Sequence, residues 1–253
     1  MKAVTVMMMI TPFLLGVAVP VQAADLTAEQ IMERVDEQRG PGTARSRMTM
    51  RIYPTLDSQE HQREIRLLSY SRGVSESLIE FAAPRSITGL RVLDIEGVVR
   101  VFFPSTGRVR NIGGSGRGGS VGGVGGDFSY EDMGGAGFMT DYHSFTIESH
   151  TSDRWVVTGI PRSDDSQYTR LVFHIDGTRF VPVQIDYHDA QGMVKQLEAL
   201  RIETVGARNV ATHLVMRNLR ENSRTEIRMH DVEWEIPLPQ DLFHPARFHR
   251  STP

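Results

Sequence analysis

Arg47-Met48-Thr49-Met50-Arg51-Ile52 decides the fold class, because apolar and polar side chains alternate through it without a break. A period of two places Met48, Met50 and Ile52 on one face of an extended strand and the two arginines on the other. The alternation resumes at Glu64-Ile65-Arg66-Leu67. Further strand-like segments follow at Ser77–Phe81, Leu90–Ile95, Val98–Phe103, Ser144–Ser149, Trp155–Ile160, Arg170–Ile175, Val181–Tyr187, Val194–Ile202, Thr212–Asn218 and Thr225–Val232. Turn signals such as Asp57-Ser58, Asp176-Gly177 and Gln191-Gly192 separate several of them. About a dozen short strands with few helices between them predict a large antiparallel sheet, mainly β, and not a βαβ fold. One face of that sheet must meet apolar material and the other water.

Upstream of the strands the period is helical. Thr27 is placed to cap a helix, Gln30 completes a capping box, and Leu26 with Ile31 can staple its start. Ile31, Met32 and Val35 share one face, and Gly40-Pro41-Gly42 ends the segment. Further upstream, Lys2 precedes an apolar run from Met7 to Val21, interrupted by Thr11, Pro12, Gly16 and Pro20. Val21-Gln22-Ala23 then offers small residues where a signal peptidase reads, so residues 1–23 read as a cleavable signal peptide. The run is interrupted and falls short of the ~20 residues that span a bilayer. No cysteine stands at its exit, so the expected product is an exported protein of 24–253, periplasmic in a Gram-negative cell and not itself lipidated.

The 253 residues are 40% hydrophobic and contain no cysteine, which excludes disulfides, thiol catalysis and Cys-based zinc sites. A net charge of −3 gives no global attraction for nucleic acid, and nucleic acid is not an expected partner. Only Lys2 and Lys195 are lysines, so Schiff-base chemistry has one candidate in the mature chain. Asp141/His143 and Asp186/His188 are spaced for one side of a strand, but no His-Glu-x-x-His or close His pair supports a metal site. There is no Gly-x-Ser-x-Gly elbow. Neither metal nor cofactor is expected, and the chain reads as a binding protein, not an enzyme. Arg100, Arg108, Arg110 and Arg117, beside Val101, Phe102 and Phe103, read first as a solvated strand face, the alternative being a rim that meets phosphate or carboxylate head groups.

From Gly113 to Gly126, nine of fourteen residues are glycine. Such a run is expected to be a flexible loop that packs no core. Its Gly-x-Gly-x-x-Gly letters lack the strand–turn–helix context of a nucleotide site. Methionines are frequent, and a single sheet under one or two helices exposes more apolar face than those helices can bury. An apolar cavity would account for the surplus. The alternation nominates Met48, Met50, Ile52, Ile65, Leu67, Ile79 and Phe81 as its lining.

Several blocks resemble a known family. Ile79-Glu80-Phe81-Ala82-Ala83-Pro84 with Ile87-Thr88-Gly89 is similar to the "F-x-x-P … G" block of the LolA-like superfamily of outer-membrane lipoprotein-sorting proteins. Val101-Phe102-Phe103-Pro104 and Gly107-Arg108-Val109-Arg110-Asn111-Ile112 resemble its next block. Asp127-Phe128-Ser129-Tyr130-Glu131-Asp132-Met133 matches the D-F-S-Y-E-D-L motif of one uncharacterised branch almost letter for letter. Phe180-Val181-Pro182, Asp189-Ala190-Gln191-Gly192-Met193-Val194-Lys195 and Asp241-Leu242-Phe243 follow in the family's order. Pro84, Gly89, Pro104, Asp127, Phe128, Ser129, Tyr130, Glu131 and Asp132 are the motif residues. The resemblance implies an incomplete antiparallel β-barrel, a LolA/LolB-like half-barrel, wrapped over a few helices. It implies a periplasmic carrier that holds acyl chains of lipoproteins or lipids for transfer towards the outer membrane. An RND-type inner-membrane exporter and an outer-membrane acceptor are the implied partners. The alternatives are a periplasmic lipid-sensing or exporter-associated module and, behind it, a hydrolase.

Overall fold

The computed structural model describes residues 26–40, 42–133 and 137–251; the leader read over 1–23 lies outside them. The first element is helix α1 (Ala28–Arg39). Thr27 Oγ1 accepts from the Gln30 N–H at 3.2 Å, and Gln30 Oε1 accepts from the Thr27 N–H at 3.0 Å. Two of the unpaired N–H groups at the helix start are thereby satisfied. Gly40, at φ +78°, ends the helix by donating its N–H to the Glu37 carbonyl at 3.0 Å. Ile31, Met32 and Val35 are fully buried, so α1 presents one apolar face to the sheet.

Six strands follow: β1 (Thr43–Tyr53), β2 (Arg63–Arg72), β3 (Glu76–Ala83), β4 (Arg91–Ile95), β5 (Val98–Phe103) and β6 (Arg108–Ile112). After a crossing segment come β7 (Tyr142–His150), β8 (Arg154–Pro161), β9 (Arg170–Asp176), β10 (Pro182–Asp189), β11 (Gly192–Val205), β12 (Arg208–Asn218) and β13 (Ser223–Trp234). They form one 13-stranded sheet in the order β6-β5-β4-β3-β2-β1-β13-β12-β11-β10-β9-β8-β7, with β6 and β7 at its open ends. The chain meanders outward from β1 to β6, jumps to the far edge, and meanders back until β13 pairs antiparallel with β1. This is the expected open antiparallel half-barrel.

Side-chain alternation sets which face is concave. In β1, Met48 and Met50 point inward, while Arg47 meets Asp231 at 2.6 Å and Arg51 meets Glu64 at 2.8 Å outside. The inner face packs against α1 and the crossing segment in one core cluster. A second, smaller cluster lies elsewhere on β2–β4, where Leu242, Phe243 and Phe248 of the C-terminal segment cover Tyr70, Leu78 and Leu93. Asp241-Leu242-Phe243 belongs to that cover.

The structure adds one strand and corrects one expectation. Strand β6 was not among the expected strands, because Arg108, Val109, Arg110 and Asn111 are all exposed and carry no burial period. The Gly-rich segment packs a core after all. After a 3-10 turn at Gly114–Gly118, Val121 and Val124 are fully buried in the main cluster. Each buried valine side chain contributes about 1.5–3 kcal/mol. Ser120 bridges Ser129 antiparallel, and the Val124 carbonyl accepts from Arg63 Nη1 at 2.8 Å. Gly126 has φ +85°, and a Cβ there would stand 2.9 Å from Thr225 Oγ1 and 3.1 Å from Ile52 Cγ1. Glycine lets the backbone lie directly on the sheet, and the two valines anchor it.

Candidate functional site

Asp127-Phe128-Ser129-Tyr130-Glu131-Asp132 clamps the crossing segment to the concave face. Asp127 Oδ2 accepts from Thr225 Oγ1 at 2.7 Å and Oδ1 from Ser223 Oγ at 2.5 Å, both on β13. Ser129 and Asp132 exchange hydrogen bonds across the start of the one-turn helix α2 (Tyr130–Met133), at 2.8 and 3.2 Å. The Tyr130 hydroxyl accepts the Gly122 N–H at 3.0 Å. Glu131 accepts from Ser166 Oγ at 2.5 Å and from the Gln167 N–H at 3.2 Å. Asp132 is the hub: Lys195 Nζ lies 2.7 Å from its Oδ2, and the Tyr168 hydroxyl donates to Oδ1 at 2.6 Å. Burial, with the Asp132 charge behind it, pushes the Tyr168 hydroxyl far above its ordinary pKa, which keeps it a donor. A second one-turn helix, α3 (Phe138–Asp141), is tied to α1, whose Asp36 carboxylate accepts the Phe138 and Met139 N–H groups at 2.9 Å each.

Beside this clamp an apolar cavity of about 450 Å³ remains open between the helices and the sheet. Val35 of α1 and Phe138 of α3 bound it on one side. Met48, Met50, Leu67 and Ile79 line it from β1–β3, and Ile185, Tyr187, Leu197, Leu214, Ile227 and Met229 continue the same inner face on β10–β13, with Met48 paired to Met229 and Met50 to Ile227 across the β1–β13 ladder. Phe128 and Met133 also line it. Leu197, Ile227 and Met229 are only partly buried although they pack on the core cluster, and Leu214 is partly buried beside them on the cavity. Burial, followed by the Asp132 and Glu131 charges, raises the Tyr187 hydroxyl well above its ordinary pKa, so this wall presents no charge.

Of the seven nominated lining residues, Met48, Met50, Leu67 and Ile79 stand on the cavity. Ile65 and Phe81 are fully buried in the core and do not line it. Ile52 packs against the crossing segment beside Gly126. The wall from β10–β13 was not nominated, although Val181–Tyr187 and Thr225–Val232 carry the same alternation. Pro84, Gly89 and Pro104 gather at the turn after β3: the Gly89 N–H donates to the Phe81 carbonyl at 2.8 Å, and its φ of +82° requires glycine. The arginine group is not on the apolar cavity; Arg110 lies over the Phe103 ring at 5.5 Å. Asp186 engages His174 Nε2 at 2.9 Å, and among the described residues no group of three His, Asp or Glu is placed to hold a metal.

A family model described as "Uncharacterized protein" matches residues 73–250. No curated protein matches the chain. Among solved structures, a domain from Vibrio parahaemolyticus described as an outer membrane lipoprotein-sorting protein superposes with a TM-score of 0.74 at 23% identity, covering 88% of this chain and 100% of that one. A DUF1329 family protein from Desulfovibrio piger gives 0.76 at 22% identity, covering 87% of this chain and 97% of that one. A LolA superfamily protein from Nitrosomonas europaea gives 0.72 at 19%, covering 87% of this chain and 99% of that one. At these identities the likeness is one of fold.

Proposed function

The chain belongs to the family whose model spans residues 73–250 and has the LolA-like fold, and on that premise we propose that it is a periplasmic carrier that holds acyl chains of lipoproteins or lipids in its apolar cavity. The observation that carries this reading is the partly buried apolar wall at Leu214, Ile227 and Met229, facing about 450 Å³ that the core does not fill. A sheet selected only for stability would close such a space, because an unfilled cavity forfeits dispersion contacts and apolar transfer energy. The carrier acts by binding and release, not as an enzyme. An RND-type inner-membrane exporter supplies the cargo in this reading and an outer-membrane acceptor receives it; both follow from the family resemblance.

Native mass spectrometry of protein purified from the exporting cell, with lipid extraction, is expected to show an acylated adduct. Leu214→Gln and Met229→Gln should weaken binding of a fluorescent fatty-acyl probe while melting within a few degrees of the parent, since their amides can face the cavity. Phe81→Gln, in the sealed core, should instead lower the melting temperature by about 10 °C or more. A wild-type protein that binds no acyl probe and carries no adduct would refute the carrier reading.

A further inference from the structure

We infer that the free edge of β6 is an acceptor for an extended segment of another protein, one that alternates acidic and apolar residues and pairs with β6 as an added strand. The apolar cavity plays no part in this surface, so the inference stands whatever the cavity holds.

The backbone carries the first half. The sheet does not close, and β6 and β7 are its end strands. In an antiparallel pair every second residue turns its N–H and C=O away from its partner, so an end strand has one edge with no strand to bond. Among the described residues no other backbone group bonds to that edge of β6. Strand β6 pairs with β5 through five consecutive positions, from Phe103↔Arg108 to Val99↔Ile112, without a register break. The end strand β7 differs. Its pairing with β8 shifts between His143 and Thr146 and again between Ile147 and Ser149, and Ser144 holds φ +52°. Such breaks twist an edge away from further pairing, and β6 has none.

The side chains carry the second half. Arg108 and Arg110 share the face that carries Phe103, and Arg110 lies over that ring at 5.5 Å. Val109 points the other way, opposite Phe102, and is 37% exposed. The arginines of β1 are matched, Arg47 with Asp231 and Arg51 with Glu64. Arg108 and Arg110 are exposed and have no carboxylate partner among the described residues. A second copy is a poor occupant. Antiparallel pairing of two β6 edges about Val109 sets Arg108 against Arg110 twice, and like charges directly opposite are destabilising. An acidic–apolar–acidic strand is complementary at each of these positions: its carboxylates meet Arg108 and Arg110, and its apolar side chain covers Val109. The same arginines that guard the edge against its own kind thus select an acidic partner.

The test uses the mature chain and short capped peptides in which Glu and Val alternate. The Glu-Val peptide should bind about ten-fold more tightly than its Lys-Val counterpart. It should also slow hydrogen exchange at alternate amides of residues 108–112. An added strand offers β6 only one of its own edges. N-methylation of one residue set, glutamate or valine, should therefore weaken binding about ten-fold, and N-methylation of the other set should leave it unchanged. The double substitution Arg108→Glu with Arg110→Glu, at exposed positions, should melt as the parent does and prefer the Lys-Val peptide. No binding of the Glu-Val peptide overturns the proposal. Equal losses from both N-methylated forms would reduce the contact to charge and overturn the strand pairing. A dimer of the protein alone that protects the same amides would make the occupant a second copy. Binding to phosphatidylglycerol vesicles in place of the Glu-Val peptide would make the surface a membrane contact. Either result overturns the acidic strand.

Discussion

Lys195 shows what a single residue gains from its surroundings. In the sequence it is the one lysine beyond position 2, inside a hairpin motif and open to a Schiff-base reading. In the fold its Nζ is 2.7 Å from an Asp132 carboxylate whose side chain is only 1% exposed, so the amine is committed to a buried ion pair. Removing one partner of such a pair leaves an uncompensated charge and costs about 3–5 kcal/mol, whereas replacing both by apolar groups can be near neutral. Lys195→Met and Asp132→Leu should each lower the urea midpoint strongly, and the double substitution should recover much of the loss. Strictly additive losses would show that the two are not coupled. The resemblance picked out Asp127, Ser129, Glu131 and Asp132 as motif residues. Their work as clamps was illegible, because their partners Thr225, Ser223, Gln167, Ser166, Tyr168 and Lys195 lie on strands and loops far along the chain.

Among the elements, the Gly-rich segment departs furthest from its sequence reading. A glycine carries no side chain whose polarity can report burial, so alternation is unreadable there, and only Val121 and Val124 betray the packing. The Gly126 and Gly113 sites discriminate a packed segment from a flap. Gly126→Ala meets Thr225 and Ile52 at positive φ and should cost about 2 kcal/mol or more, while Gly113→Ala, with nothing within 4 Å and φ −133°, should be nearly silent. In hydrogen exchange, the Val124, Asp127 and Tyr130 amides, bonded to the Val121 carbonyl, Thr225 Oγ1 and the Gly119 carbonyl, should be protected. Fast exchange through all of 119–130, with Gly126→Ala as silent as Gly113→Ala, would return the segment to a mobile loop. The regular strands lie at the opposite extreme: Val98–Phe103 was legible to its last residue, because a short run of β-branched and aromatic residues between turn signals reads as a strand.

At the scale of the molecule, the path of the chain makes the cavity. The jump from β6 to β7 brings residues 113–133 and 137–141 across the barrel, and that crossing fills part of the concave face while leaving the rest open. The expected cleavage after Ala23 is directly testable. N-terminal sequencing of the protein recovered from a periplasmic extract should read Ala24-Asp25-Leu26, and an intact leader in the membrane fraction would refute cleavage. The capped helix, the strand-by-strand alternation and the antiparallel class were determined by the sequence alone, because each is a local property, a period or a cap, that a few adjacent residues satisfy. Only the tertiary structure decided that Met48, Met50, Leu67 and Ile79 border the cavity while Ile65 and Phe81 do not. All six have the same inward polarity; what separates them is how segments distant along the chain pack together in the one core cluster, which no local pattern encodes.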